Sequence, residues 1–205
     1  EPEEHKQERF VGVPGMNAVG KHLAADLTIH TGVRVAPPQR SRGQWRLRSE
    51  TGETLGGFDL LVVAVPAPQA RALLTSSAPN LAARVASIRY APVTGRLRSR
   101  STRSHARRLD LDRYRRRIIQ PSTGRVMRVA VIGAGIAGLT AARTLQDQCH
   151  RVTVFEKSRG PGGRAATRRI NGLQFDHGAQ YFTARDPAFG RAVAAWCERG
   201  LVMTW

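Results

Sequence analysis

The feature that most constrains this chain is a glycine turn between an apolar run and a helix. Val129-Ala-Val-Ile-Gly133-Ala-Gly135-Ile-Ala-Gly138 reads as a buried strand, a tight turn and a helix start. A second apolar run, Arg151-Val-Thr-Val-Phe155, follows, and Glu156 stands at its end, eighteen residues after Gly138. Strand, glycine turn, helix, strand and acid in that order are the parts of a dinucleotide-binding βαβ unit with a parallel sheet. Gly133 permits the tight turn, Gly135 lets the backbone approach a pyrophosphate, and Gly138 lets the helix pack on the strand. Free amides around Ala134, Ile136 and Ala137, with the helix dipole, favour phosphate charge. Glu156 can accept bonds from ribose hydroxyls and would repel a 2′-phosphate. The plainer alternative is a glycine turn used only for packing. The unit begins at Met127, behind 126 residues of different character.

A second glycine loop follows at once: Lys157-Ser-Arg-Gly160-Pro-Gly162-Gly163-Arg164. It would bring Lys157, Gly163 and Arg164 against the same pyrophosphate, the arginine bidentately. A simple NAD domain would instead continue into its next helix. Here the alternative is a flexible basic loop.

A chain of 205 residues with 41% hydrophobic content holds one good-sized domain or two small ones. Its charge of +18 is uneven. Gly95–Val126 holds eleven arginines against two acids, half of the excess in about a sixth of the chain. The two cysteines, Cys149 and Cys197, form no disulfide framework and no metal-ligand spacing, which fits a reduced, cytoplasmic protein. Residue 1 is Glu with no signal-peptide pattern, as in a fragment or processed chain, and no apolar run is long enough to span a bilayer.

Residues 1–9 are charged and read as disordered. A helix is expected from Pro14-Gly15 to Ala25, with extended segments at Leu27–His30 and Val33–Val35. Gln44–Arg48 alternates like the first strand of a hairpin, and Phe58–Val65 is a continuous apolar run expected to be buried on both faces. Helices are expected at 68–74, 80–88 and 136–148. In the last of these, Ile136, Leu139 and Leu145 share a face, with Ala137, Ala141 and Ala142 allowing close packing. Arg168–Phe175 reads as a hairpin turning at Asn171-Gly172. Asp186-Pro187 caps a helix that Gly200 ends. Trp45, Trp196 and Trp205 read as core.

These stretches resemble a known group. Val131–Leu139, Val154–Lys157, Gly162–Arg164 and Phe175-Asp-His-Gly-Ala-Gln-Tyr-Phe182 look like the N-terminus of flavin amine-oxidase-type proteins, specifically bacterial renalase-like FAD oxidoreductases. The resemblance implies a Rossmann-type FAD-binding domain plus part of a mixed α+β substrate domain. It places Gly178, Ala179 and Gln180 near the isoalloxazine. Phe10–Ala18, Val33–Val35 and Asp59–Pro66 resemble the family's central segment, Val35 lying on the strand whose backbone meets the adenine. Family order would be 128–205 followed by 10–93, so this chain carries them swapped, as a permutation or an assembly artefact. The division implied is 1–9, a central segment 10–94, an Arg-rich linker or insert 95–126, and the FAD-binding segment 127–205. The family's remaining substrate-domain segments and its C-terminal flavin-contacting motif are not found. Cys149 stands where a glycine commonly ends the first helix.

The resemblance thus implies an FAD-dependent oxidoreductase acting on an amine-like or dihydronicotinamide-like small molecule, with oxygen as electron acceptor and no membrane partner. No catalytic side chain is singled out, and weak FAD binding or inactivity of the incomplete chain stays open. His5, His22, His30, His105, His150 and His177 show no metal spacing. His177, placed near the flavin by the resemblance, reads as structural rather than catalytic. Two other classes stay open. One is an NAD-dependent Rossmann dehydrogenase. The other is a non-enzymatic basic protein binding nucleic acid through 95–126, where only Tyr114 offers stacking and a solvated linker is the plainer reading.

Overall fold

In a computed structural model the described residues are 8–88 and 125–205, without Gly172 and His177. The charged start and the bulk of the Arg-rich run, and with them the expectations of disorder and of a linker, lie outside these.

The first part contains β1 (Phe10–Gly12), α1 (Asn17–Ala24), β2 (Thr28–Thr31), β3 (Gln39–Ser41), β4 (Gln44–Arg48), β5 (Thr54–Phe58), β6 (Leu60–Val63), α2 (Ala67–Leu74) and α3 (Pro79–Ala86). The second contains β7 (Arg128–Ile132), α4 (Ile136–Asp147), β8 (Arg151–Glu156), β9 (Thr167–Ile170), β10 (Leu173–Asp176), α5 (Pro187–Glu198) and β11 (Val202–Thr204).

The centre is a four-stranded parallel sheet in the order β2-β8-β7-β6. β7 and β8 come from the second part and are flanked on each side by a strand from the first. Alternation along β7 splits the core. Val129 and Val131 face Leu139, Ala142 and Leu145 of α4 and the partly buried Leu23 of α1. Ala130 and Ile132 face Leu47, Phe58 and Phe155, beneath the antiparallel sheet β3-β4-β5. The layers are therefore helices, parallel sheet and antiparallel sheet. Full burial of Val129, Val131, Leu139 and Leu47 removes each from water, at roughly 1.5–3 kcal/mol per side chain. A third cluster joins Val19 of α1, Val193 of α5 and Val202 of β11, and β1 pairs with β11 beside it.

Several elements differ from the sequence reading. The apolar run Phe58–Val65 is two strands, because Asp59 breaks it: its carboxylate accepts the Arg128 N–H at 2.9 Å. β6 is the edge of the sheet among the described strands, and its residues are half-buried rather than covered on both faces. β3 carries no apolar pattern and was not expected. Val33–Val35 forms no strand: Val35 bridges Ser49, and the Val33 N–H is held by the Glu156 carbonyl at 3.0 Å. α1 starts at Asn17, two residues past Gly15. Trp205 is exposed, stacked on Tyr181 beneath the Arg9 guanidinium.

The helix ends follow their chemistry. The Asp186 carboxylate accepts the N–H groups of Ala188 and Phe189. Gly200, at φ +66°, closes α5, with the N–H groups of Gly200 and Leu201 on the carbonyls of Cys197 and Trp196. α4 closes in the same way with Cys149 in the glycine position, at φ +64°. Both cysteines are free thiols.

Candidate functional site

The site is built at the carboxyl ends of β7 and β8, where an open parallel sheet offers a crevice. After Ile132 the chain must leave the sheet and enter α4 within four residues. Gly133 does this at φ +103°, with a would-be Cβ only 2.7 Å from the Ala64 carbonyl oxygen. Gly138 lies in the first turn of α4, so close to the Gly133 carbonyl oxygen that any Cβ would overlap it. These two glycines make the turn. Gly135 differs: its φ is −75°, and a Cβ there would meet nothing nearer than Gly163 Cα at 4.0 Å. Its lack of a side chain leaves space rather than relieving a clash.

No side chain caps α4, so its first-turn amides are left for an anion. Ile136 and Ala137 at that end line a cavity of about 1100 Å³. Ala137 is exposed there instead of packing on the sheet, while Leu139, Ala142 and Leu145 do the packing.

The second glycine loop is clasped onto the first. The Gly162 N–H donates to the Ala134 carbonyl at 2.8 Å, and Gly135 and Gly162 form a parallel bridge. Gly162 and Gly163 have φ +123° and +57°, so the loop's shape depends on glycine. Gly135, Gly163 and Arg164 thereby line one cavity.

Glu156 is buried at the end of β8. Its carboxylate accepts the N–H of Ala134 at 2.7 Å and that of Ser158 at 2.8 Å. A carboxylate has about four acceptor positions, so two remain for hydroxyls. The Glu156 carbonyl accepts the Val33 N–H at 3.0 Å, which ties the adjoining wall to β8. In that wall, the bridge at Val35 is made by Ala36 N–H to Arg48 C=O and Glu50 N–H to Arg34 C=O. The polar backbone groups of Val35 therefore point away from Ser49, and Val35 lines the cavity.

The expected site residues thus divide. Gly133, Gly135, Ile136, Ala137, Glu156, Lys157, Gly163, Arg164, Ala179 and Val35 line one cavity. Ala134 sits behind it, holding Glu156 and Gly162 in place; Gly138 is a packing residue. Gly178 and Gln180 do not line it. Gly178 is pressed against the Arg164 carbonyl, which accepts the Ala179 N–H at 2.9 Å. His177 is outside the described residues.

Residues not expected in the site also line the cavity, among them Trp196, which the sequence reading placed in the core. Arg34 and Glu50 form an exposed ion pair at 3.5 Å near Val35. Phe182, Phe189 and Trp196 form an aromatic end, in contact at 5.8 and 6.0 Å between ring centroids. Only Phe189 and Trp196 had a local signal, in the apolar face of 187–198. Among the described residues, no cluster of three or more His, Cys, Asp or Glu could hold a metal ion. None of their helices is long and apolar enough to cross a membrane.

The fold and the turn agree with comparison to known proteins. Residues 131–196 match the model of the NAD(P)-binding Rossmann-like domain. The chain carries that fold. It is also similar to 4,4′-diapophytoene desaturase (4,4′-diaponeurosporene-forming) of Staphylococcus aureus, strains Newman and USA300. The identity is 48% over 52 residues, covering 25% of this chain and 10% of each relative. The match therefore spans about a tenth of those relatives' length.

Proposed function

We propose that the cavity binds FAD and that the chain is part of an FAD-dependent oxidoreductase of the amine-oxidase and renalase-like kind. The observation that carries this reading is the clasp of the second glycine loop on the first, through Gly162 N–H and Ala134 C=O. It sets two glycine backbones and Arg164 around one space, as a diphosphate requires. The residues fit the cofactor. Gly135 and Gly163 leave the cradle that a Cβ would narrow. The α4 amides and Arg164 would hold the diphosphate, Glu156 the ribose, and the backbone of Val35 the adenine. Ala179 and the aromatic end would border the ring system. About 1100 Å³ exceeds the usual small-molecule range of roughly 300–1,000 Å³.

Bound flavin would supply the redox chemistry, accepting a hydride from an amine-like or dihydronicotinamide-like substrate, with oxygen as the final acceptor. The chain's own residues bind, orient and exclude water. The desaturases named above are similar over too short a stretch to bring their substrate to this chain.

The sheet order supports the swapped arrangement. Counted from β7 and continued into the first part, β7, β8, β2 and β6 occupy the order third, second, first, fourth. That is how a Rossmann sheet begins. We therefore read 127–205 as the leading FAD-binding segment and 10–94 as its continuation. The elements around β1, β11 and α5 would be part of the substrate domain. Free thiols fit a cytoplasmic protein.

The match to an NAD(P)-binding model favours one second reading, a nicotinamide-dependent dehydrogenase. Equilibrium titration with FAD and with NADH separates the two. Our reading expects FAD to bind and NADH to compete weakly. Tight NADH binding without FAD uptake supports the dehydrogenase, and no binding of either overturns both.

A further inference from the structure

Glycine is among the poorest helix formers, and one in a helix interior calls for a packing reason. α1 carries Gly20 in its interior, buried. A Cβ at that position would stand 3.0 Å from Gly162 Cα and 3.5 Å from Gly162 N, with Ile136 Cδ1 at 3.8 Å. Gly162 is the residue whose N–H clasps the two glycine loops together.

α1 cannot easily move aside. At its start the Met16 N–H donates to the Asp176 carboxylate at 3.2 Å, and the Asn17 N–H reaches Thr167 Oγ1 at 3.4 Å. Just past its end, α4 reaches over: Arg143 donates to the Ala25 carbonyl and Gln146 to that of Asp26. The yielding partner is therefore the 160–163 loop. Behind that loop the clearance is small, since a Cβ on Gly163 would already be 2.9 Å from Gly135 Cα. A push on Gly162 is passed to the space between Gly135 and Gly163.

We propose that Gly20 is a positioning residue for the diphosphate cradle. It lets a helix from the first part of the chain back the glycine loop of the second at backbone distance. The proposal rests on the dinucleotide reading of the site.

The test uses the full chain with Gly20→Ala and Gly20→Val, probed with ADP and with adenosine. Adenosine needs the Glu156 and Val35 end only; ADP needs the cradle as well. Alanine's helix preference offsets part of the cost of displacing the loop, so Gly20→Ala should still unfold cooperatively, near the wild-type temperature. Its Kd for ADP should nevertheless rise about threefold, and that of Gly20→Val about tenfold or more. Adenosine affinity should stay within about twofold of wild type in Gly20→Ala. Without ligand, the amide resonances of Gly135, Gly162 and Gly163 should shift in Gly20→Ala. Unchanged ADP affinity in both variants, equal loss of adenosine and ADP, or unmoved resonances would overturn the proposal. A wild-type chain that ignores ADP overturns the dinucleotide reading instead, and the resonances still report whether Gly20 sets the loop.

Discussion

The Ala134 N–H donates to the Glu156 carboxylate at 2.7 Å, tying the first glycine turn to the end of the neighbouring strand. Glu156 is buried and also holds the Ser158 N–H at 2.8 Å. Glu156→Ala would leave both donors without their acceptor. A cost of about 2–4 kcal/mol in unfolding free energy is expected, read from urea denaturation. Adenosine affinity should fall about tenfold in the same variant, read by calorimetry.

The two kinds of glycine in the turn should separate in experiment. Gly138→Ala forces a Cβ into the Gly133 carbonyl oxygen. It should cost about 3 kcal/mol or more, seen as loss of soluble protein or of a cooperative transition.

Asp176 acts at a distance in sequence. Its carboxylate accepts the Met16 N–H and the Thr167 hydroxyl, capping α1 from another part of the chain. α1 has no cap of its own. Asp176→Ala should therefore lower stability by about 1–2 kcal/mol, measured by thermal or urea unfolding.

Cys149 holds a left-handed conformation that glycine adopts without strain. Cys149→Gly should raise stability by about 0.5–1 kcal/mol, once glycine's larger unfolded-state entropy is set against the relief. A higher melting temperature under reducing conditions checks it.

Asp59 gives the acid limb of the stability profile. The Arg128 N–H on its carboxylate holds it below the usual carboxylate range. Partial burial opposes this, while Gln44 and the Arg125 and Arg128 charges add to it. A lowered folded-state value means the unfolded chain binds the proton first as pH falls. The contribution is present above about pH 4 and is lost as pH drops toward the folded value. Asp59→Asn should flatten the loss of stability below about pH 4, followed by urea unfolding across pH.

The βαβ core was legible because its signals are local: an unbroken apolar run that becomes the buried Val129–Ile132 of β7, glycines where the chain turns, and Glu156 at a strand end. The α5 caps were legible for the same reason, since Asp186 and Gly200 act within a turn of where they stand. The pairing of β2 with β8 was not, because a parallel partner leaves no mark in either strand. Asp59 gave no sign that it would split an apolar run, since its partner Arg128 is 69 residues away. The wall formed by Val35, Arg34 and Glu50 depends on the Val35–Ser49 bridge and on the Val33 N–H held by the Glu156 carbonyl, neither of which leaves a local pattern. Gly178 and Gln180 were expected beside the ring system, yet they fall outside the cavity lining because the Ala179 N–H is drawn to the Arg164 carbonyl.

Gly135→Val tests the central claim most directly. The backbone of Gly135 suits a side chain and the fold leaves room for one, so the variant should unfold as cooperatively as wild type. The same side chain fills the cradle. The measurement is the visible absorbance of each protein after incubation with FAD and removal of free cofactor. Our account predicts flavin bands on wild type and their loss on folded Gly135→Val. A wild-type chain that retains no flavin, or a variant that retains as much as wild type, would contradict it.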